Sequence, residues 1–119
     1  MWVRNGRERR QMPRFRPSTP VAGVERGSGA PVRLRDFHSK FIALETTTPA
    51  RMGQLMEVDL SLREHTVAVK GMPKRWERVA PVNGRSCYVT VLELRWTTTQ
   101  ERADVDKFIQ SIPKQVRLA

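Results

Sequence analysis

The stretch MEVDLSL, residues 56–62, alternates strictly between apolar and polar side chains. Because successive side chains of a strand point to opposite faces, a period of two predicts a β-strand that is buried on one face. Shorter copies of the same alternation occur at residues 32–35, 42–45 and 67–69. The buried face of the central strand is predicted to consist of Met56, Val58, Leu60 and Leu62.

Turn-forming residues separate these segments. Pro49, Gly53, Gly71 and Pro73 are expected to mark strand ends. Asn83-Gly84 is a strong hairpin signal, and it precedes a long apolar strand over residues 85–94. A further short strand is expected near residues 20–25. About five or six short strands, spaced roughly 10 to 12 residues apart, predict a small antiparallel barrel or sandwich.

The pattern changes near the end of the chain, where residues 98–112 are predicted to form one helix. Thr98 and Glu101 have the spacing of a capping box, and Pro113 ends the segment. One apolar stripe is expected to pack on the barrel, a partner-binding face being the other option. The stripe consists of Val105, Phe108, Ile109 and Ile112.

Composition bounds the class of protein. The chain has 119 residues, of which 39% are hydrophobic and 29% charged, and this balance is typical of a globular domain. The net charge of +10 indicates an anionic partner or a strongly solvated surface. Cys87 is the only cysteine, so an intramolecular disulfide is excluded, and its apolar surroundings predict a buried, inert thiol.

The sequence offers no catalytic or metal-binding motif. His38 and His65 are too far apart for a local metal motif, and no nucleophile, phosphate-loop or zinc-protease pattern occurs. We therefore expect a protein that is not an enzyme and holds neither a metal nor a cofactor. The absence of any long apolar run predicts no membrane span and a cytoplasmic location.

The stretch RERRQMPRFRP, residues 7–17, contains five arginines. Pro13 and Pro17 prevent a stable helix there. Arginine presents a planar fork of donors that binds phosphate oxygens in bidentate fashion, reads guanine acceptors and stacks on bases. Taken alone, this stretch is either a solvated basic tail or a clamp for an anion. Two residues elsewhere have two interpretations each. Arg35 is either a solvated residue on a strand or a support for an anion site, and Trp76 is either a partly buried aromatic of the sheet or a residue that stacks on a base.

Two segments in order carry a resemblance to a known family. Residues 8–14, Glu-Arg-Arg-Gln-Met-Pro-Arg, match the pattern ERRxxxR. Residues 36–41, Asp-Phe-His-Ser-Lys-Phe, follow and lead directly into the strand at 42–44. Together with the strands and the final helix, these segments resemble the PilZ domain family, receptors for the bacterial second messenger cyclic di-GMP. The resemblance covers roughly residues 8–112.

The resemblance implies a mainly β fold, a six-stranded antiparallel PilZ-like barrel with one C-terminal α-helix. It also implies a flexible basic N-terminal segment over residues 1–18. Residues 19–113 would then form the barrel and helix, and residues 114–119 a tail.

The resemblance also implies a site for cyclic di-GMP. In the second family motif, [DN]xSxxG, His38 stands in place of the serine and Phe41 in place of the glycine. A side chain at Phe41 is unfavourable where the backbone needs a positive φ. Its ring would either fill the space of a base or stack on guanine. The expected ligand-binding residues are Arg9, Arg10, Arg14, Asp36, His38 and Phe41.

Three functions follow as hypotheses. The first is a cyclic di-GMP receptor or adaptor whose arginine segment becomes ordered on binding and which signals through a protein partner. The second is a degenerate PilZ-like adaptor that binds protein but not nucleotide. The third is a basic barrel that binds nucleic acid, although its strands hardly interleave aromatic with basic residues as stacking platforms do.

Overall fold

A computed structural model of the chain describes residues 14–38 and 40–117. These residues form eight strands and one helix. The strands and the helix are, in chain order, β1 (Arg14–Pro17), β2 (Ala22–Glu25), β3 (Pro31–Phe37), β4 (Phe41–Thr46), β5 (Met56–Leu62), β6 (His65–Val82), β7 (Arg85–Arg95), α1 (Thr99–Ser111) and β8 (Lys114–Arg117).

Six of the strands close into an antiparallel barrel in the order β2–β5–β6–β7–β4–β3, with β3 pairing back to β2. The short strand β2 completes the ring, since Gly23 lies opposite Leu60 of β5 and opposite Val32 of β3. Strands β1 and β8 extend the sheet outside the ring, beyond β3. The predicted six-stranded antiparallel barrel with one C-terminal helix is therefore confirmed.

The core fills the barrel and extends under the helix. The MEVDLSL strand is buried at every second residue, as its alternation predicts. Leu44, Val58 and Leu92 are fully buried inside the ring. The helix stripe joins the same core through Val105, Phe108 and Ile112, with Ile109 partly buried against it; the prediction that this stripe packs on the barrel is confirmed.

Local signals place the helix and the hairpin correctly. The Thr98 hydroxyl accepts a hydrogen bond from the Glu101 backbone N–H at 3.1 Å, and the Glu101 carboxylate accepts one from the Thr97 N–H at 2.9 Å. In the β6–β7 turn, Asn83 and Gly84 have φ of 52° and 75°. Both values are those that a type I′ hairpin turn requires.

Three features differ from the sequence prediction. Arg14–Pro17, expected in an irregular segment, and Lys114–Arg117, expected in a tail, pair with each other as β1 and β8. Each strand has only four residues, and the two strands come from opposite ends of the chain, so no local pattern indicates that they pair. Pro73 does not end a strand; it lies within β6 beside a bulge, where a residue without an N–H is tolerated.

Cys87 is a free, buried cysteine, as its apolar neighbours predict, and burial raises the pKa of its thiol. In the part of the chain that the structure describes, no helix is both long and apolar enough to span a bilayer.

Candidate functional site

The turn between β3 and β4 carries the second sequence motif. The His38 N–H donates to the Phe41 carbonyl at 3.0 Å, which closes the hairpin. The Lys40 N–H donates to His38 Nδ1 at 3.2 Å, and the Lys40 carbonyl accepts from the Leu94 N–H at 2.8 Å. These bonds fix the turn against β7. Ser39, within this turn, lies outside the described residues.

An open groove of about 630 Å³ lies on the outer surface of the barrel beside this turn. We call it the outer groove. It is built from β1, the β3–β4 hairpin, the middle of β7 and the second half of β6. Its lining includes Arg14, Arg35, Asp36, His38, Phe41, Ala43, Lys74, Arg75, Glu77, Val89 and Val91.

The outer groove therefore brings together four of the six residues expected in the site, namely Arg14, Asp36, His38 and Phe41. Arg14 reaches the groove because β1 pairs with β3, where Phe15 lies opposite Phe37. Arg9 and Arg10 lie outside the described residues, so their part in the site stays a prediction.

The surroundings of His38 favour the neutral form of its ring. Burial, the nearby Arg14 guanidinium and Lys40 lower its pKa, and Asp36 partly offsets them. Since Nδ1 accepts the bond from the Lys40 N–H, the ring proton is assigned to Nε2. Nε2 can thus donate a hydrogen bond to an acceptor on a ligand.

Phe41 begins β4 and lies opposite Glu93 of β7. Its φ is not in the left-handed region. Phe41 therefore does not carry the strain that a positive φ would impose on a side chain, because here the chain is already in extended strand conformation. The Phe41 ring is half-buried and packs on the His38 ring, with centroids 5.1 Å apart and planes tilted by 58°. The two rings form an aromatic wall beside the groove.

The positively charged side chains of the groove differ in whether a carboxylate already lies beside them. Lys74 Nζ lies 3.6 Å from a Glu93 carboxylate oxygen, which also accepts a bond from Arg95 at 2.7 Å. Among the described residues, no carboxylate lies within ion-pair distance of the guanidinium groups of Arg14, Arg35 or Arg75. These three arginines are available to an anion.

Arg35 is the extra residue of a bulge in β3, between Leu34 and Asp36. A bulge turns one side chain out of the regular alternation, and bulges occur often beside binding sites. Asp36 itself is buried, with 6% of its surface exposed. The bulge thus places a half-buried arginine next to a buried carboxylate in the sequence of β3.

Lys74 and Arg75 were not expected in the site. They come from β6, far along the sequence from the motifs, and reach the groove only because β6 pairs with β7 and β7 with β4. In the sequence, the run of charged residues at 74–78 was the only indication that this part of the chain could contribute to the site; the structure shows that these residues are exposed. Trp76 also lines the groove, and its ring contacts that of Tyr88 edge-on, with centroids 5.6 Å apart. Its partner Thr90 is fully buried, so Trp76 shares the face opposite to Arg75.

A second cavity, of about 790 Å³, lies between the β2–β3 turn and the β4–β5 loop. It is larger than the outer groove, but none of the six expected site residues lines it. Two arginines line this cavity. Arg26 forms ion pairs with Asp59 at 3.1 Å and Glu57 at 3.5 Å, and Arg51 lies on the β4–β5 loop. The motif residues favour the outer groove as the candidate site.

No protein-family model matches the chain. No curated protein matches it either. Two solved structures of K. pneumoniae MrkH are similar in fold. The one in the apo state has a TM-score of 0.63 at 14% identity over 82% of this chain and 48% of MrkH. The other, from a P2(1) crystal, has a TM-score of 0.65 at 16% identity over 83% of this chain and 47% of MrkH.

The chain thus spans about half the length of MrkH. At these identities the likeness shows a common fold and no more. That fold is the six-stranded antiparallel barrel with a C-terminal helix.

Proposed function

We propose that this protein is a PilZ-type receptor for cyclic di-GMP that binds the nucleotide in the outer groove and acts through a protein partner. One observation supports the proposal most. Arg14, the last residue of the ERRxxxR segment, lines the same groove as Asp36, His38 and Phe41 of the second motif. The two segments that carry the family resemblance are separated in sequence and adjacent in space.

The chemistry of the groove fits a cyclic dinucleotide. Such a ligand carries two phosphates and two guanine bases. Arg14, Arg35 and Arg75 have no carboxylate partner among the described residues and can bind phosphate oxygens or guanine acceptors. A carboxylate at Asp36 suits the donor edge of guanine, and His38 Nε2–H suits its acceptors.

In this proposal, Arg9 and Arg10 complete the phosphate clamp. Binding would hold residues 8–14 against the barrel and so form the surface that a protein partner contacts. A ligand favours the state in which residues 8–14 lie against the barrel only if it binds that state more tightly than the state in which they do not. The added contacts between arginines and phosphates would provide this difference in affinity. In this proposal the residues of the outer groove bind the nucleotide and carry out no catalytic step.

The test is isothermal titration with cyclic di-GMP of the wild type, Arg14→Ala and Arg16→Ala. Arg16 is the matched control, because it lies on the same strand, is exposed and does not line the groove. Loss of a charge-assisted bond costs about 1.5–3 kcal/mol, so Arg14→Ala is expected to bind about ten- to hundredfold more weakly. Arg16→Ala should match the wild type. No binding by the wild type would overturn the proposal.

Phe41 decides between this proposal and the second candidate, an adaptor that binds no nucleotide. That candidate is favoured by the Phe41 ring standing beside the groove. Base stacking on an aromatic ring is worth about 1–3 kcal/mol. If Phe41 stacks on guanine, Phe41→Leu should weaken binding about five- to hundredfold, while Phe41→Tyr keeps it. Binding that appears only in Phe41→Gly would support the blocked adaptor.

A second titration tests the alternative that the partner is a nucleic acid. Titration with single-stranded oligonucleotides of increasing length, at several salt concentrations, would give length-dependent affinity with a steep salt slope if the basic surface binds nucleic acid. Binding of cyclic di-GMP alone, with no binding of cyclic di-AMP or oligonucleotides, is the result the proposal requires.

A further inference from the structure

The outer groove contains a second carboxylate besides that of Asp36. Glu77 of β6 lines the groove, although its other charged residues are mostly arginine and lysine. Among the described residues, no lysine or arginine lies within ion-pair distance of the Glu77 carboxylate. Such a carboxylate repels the phosphates of an anionic ligand, so it weakens binding unless it accepts hydrogen bonds from another part of that ligand.

Strand register places Glu77 on the outward face of the barrel wall. Glu77 lies opposite Val89 of β7, and Val89 lies opposite Glu45 of β4. Val89 itself lines the groove. Cross-strand partners share one face of a sheet, so Glu77 stands beside the floor of the groove and not toward the barrel core. Arg75, two residues earlier on β6, is on the same face.

Asp36 and Glu77 lie on opposite sides of the groove floor. One row of cross-strand partners runs from β3 to β6 and consists of Asp36, Ala43, Val91 and Arg75. The ends of this row are three strand spacings apart, roughly 14 Å, and Glu77 lies about 7 Å further along β6. The side chains between the two ends, Ala43 and Val91, are small, so flat rings can lie over them.

Two carboxylates placed in this way suit a ligand with two guanine bases. The bases of a cyclic dinucleotide leave its phosphate-bearing ring on opposite sides, so each base can reach one side of the groove. Guanine presents its N1–H and its N2 amino group next to each other, and a carboxylate accepts hydrogen bonds from both. Adenine presents an acceptor, N1, at the same place, and a carboxylate repels it. A carboxylate on each side therefore selects guanine over adenine on each side.

We propose that Glu77 reads the second guanine of cyclic di-GMP, while Asp36 reads the first, and that Glu77 makes the site selective for a ligand with two guanines. This inference rests on the proposed function, because it requires a cyclic dinucleotide in the outer groove. Hydrogen bonds from the guanine donors offset the repulsion between the Glu77 carboxylate and the phosphates. Arg75, on the same face of β6, is placed to neutralise a phosphate between the two bases.

The test is isothermal titration with cyclic di-GMP and with cyclic GMP–AMP, in which adenine replaces one guanine. The wild type is expected to bind cyclic di-GMP at least about tenfold more tightly, since the mixed ligand leaves one carboxylate facing an acceptor. In Glu77→Gln the ratio of the two affinities should fall close to one. The glutamine amide can donate to adenine N1 and accept from the adenine amino group, so it no longer rejects adenine.

Glu45→Gln is the matched control. Glu45 lies on the same face of the sheet, two strands away from Glu77, and does not line the groove. Both substitutions remove one negative charge. The two ligands carry the same number of phosphates, so a general change in electrostatic attraction acts on both alike and leaves the ratio of affinities unchanged. Glu45→Gln should therefore keep the wild-type ratio.

The outcomes separate this inference from the proposed function. If the wild type binds neither ligand, both are overturned. If the wild type binds cyclic di-GMP and Glu77→Gln keeps the full preference over cyclic GMP–AMP, the inference about Glu77 fails and the proposed function stands. Equal binding of the two ligands by the wild type has the same meaning. Glu77 is exposed, so its replacement by glutamine should leave the fold intact, which thermal melts would check.

Discussion

His38 links the candidate site to pH. Burial, Arg14 and Lys40 hold its pKa below the ordinary value for histidine, with Asp36 opposing them. The unfolded chain therefore takes up this proton at a higher pH than the folded chain does. As the pH falls through about 6.5 and on to the folded-state pKa, this group costs stability, and below the folded-state pKa the loss is complete.

Replacing His38 by Asn should remove this acid sensitivity. Asn Oδ1 can accept the Lys40 N–H bond as Nδ1 does, so the turn should be kept. We expect the wild type to lose more free energy of unfolding between pH 7.5 and 5.5 than His38→Asn, by a linkage of less than one proton. Urea unfolding at a series of pH values measures it. His65→Asn, at the exposed start of β6, is the control. Equal pH slopes for His38→Asn and the wild type would contradict the prediction.

For individual residues of the site, the sequence predicts contacts within one turn and misses contacts between residues that are far apart in the chain. Asp36, His38 and Phe41 lie in or beside one hairpin turn, so a motif of six residues is enough to bring them together. Arg75 enters the same groove through two intervening strand pairings, which no local pattern encodes. The sequence could not show whether the backbone at Phe41 has a positive φ; in the structure Phe41 lies in β4 and does not.

Among the elements, those with strong local signals were predictable. β5 has strict alternation, the β6–β7 turn has Asn-Gly, and α1 has both a cap and an apolar stripe. β1 and β8 have four residues each, and no local pattern indicates that two segments from opposite ends of the chain pair with each other. The length of β6 was also missed, because Pro73 and Gly71 signal an end that the bulge and the barrel interior accommodate.

The cap of α1 provides a prediction at the element scale. Thr98→Ala removes the hydroxyl that accepts the Glu101 N–H, leaving a backbone donor of the first turn without a protein partner. We expect a loss of about 1 kcal/mol in the free energy of unfolding, measured with urea. Thr98→Ser should lose much less, because serine keeps the acceptor. Thr99→Ala, one residue further and without the capping role, is the control; a loss at Thr99 equal to that at Thr98 would contradict the assignment of the cap.

For the whole molecule, closure of the barrel positions the site. β3, β4, β7 and β6 are consecutive around the ring, so their outward faces form one continuous curved surface on which the outer groove lies. Closure depends on β2, a strand of four residues that pairs on both sides. A ring closed by so short a strand should be most sensitive to changes where β2 meets its neighbours.

Gly23 is the residue at which this sensitivity can be measured. A Cβ at Gly23 would collide with the backbone carbonyl of Asp59 on β5, and backbone cannot move aside without opening the β2–β5 pairing. Gly23→Ala is therefore expected to lower the free energy of unfolding by about 1–3 kcal/mol or more. Hydrogen exchange should show early loss of protection in β2 and in residues 58–61 of β5.

Gly27→Ala is the matched control for this change. Gly27 lies four residues further along the chain, outside the left-handed region of φ, and a Cβ there meets open space. A surface substitution of this kind should alter stability by no more than about 0.5 kcal/mol. If Gly23→Ala unfolds at the same urea concentration as Gly27→Ala, closure of the ring by β2 contributes little to stability, and the surface that carries the groove must then be held in place by the β3–β4–β7–β6 sheet alone.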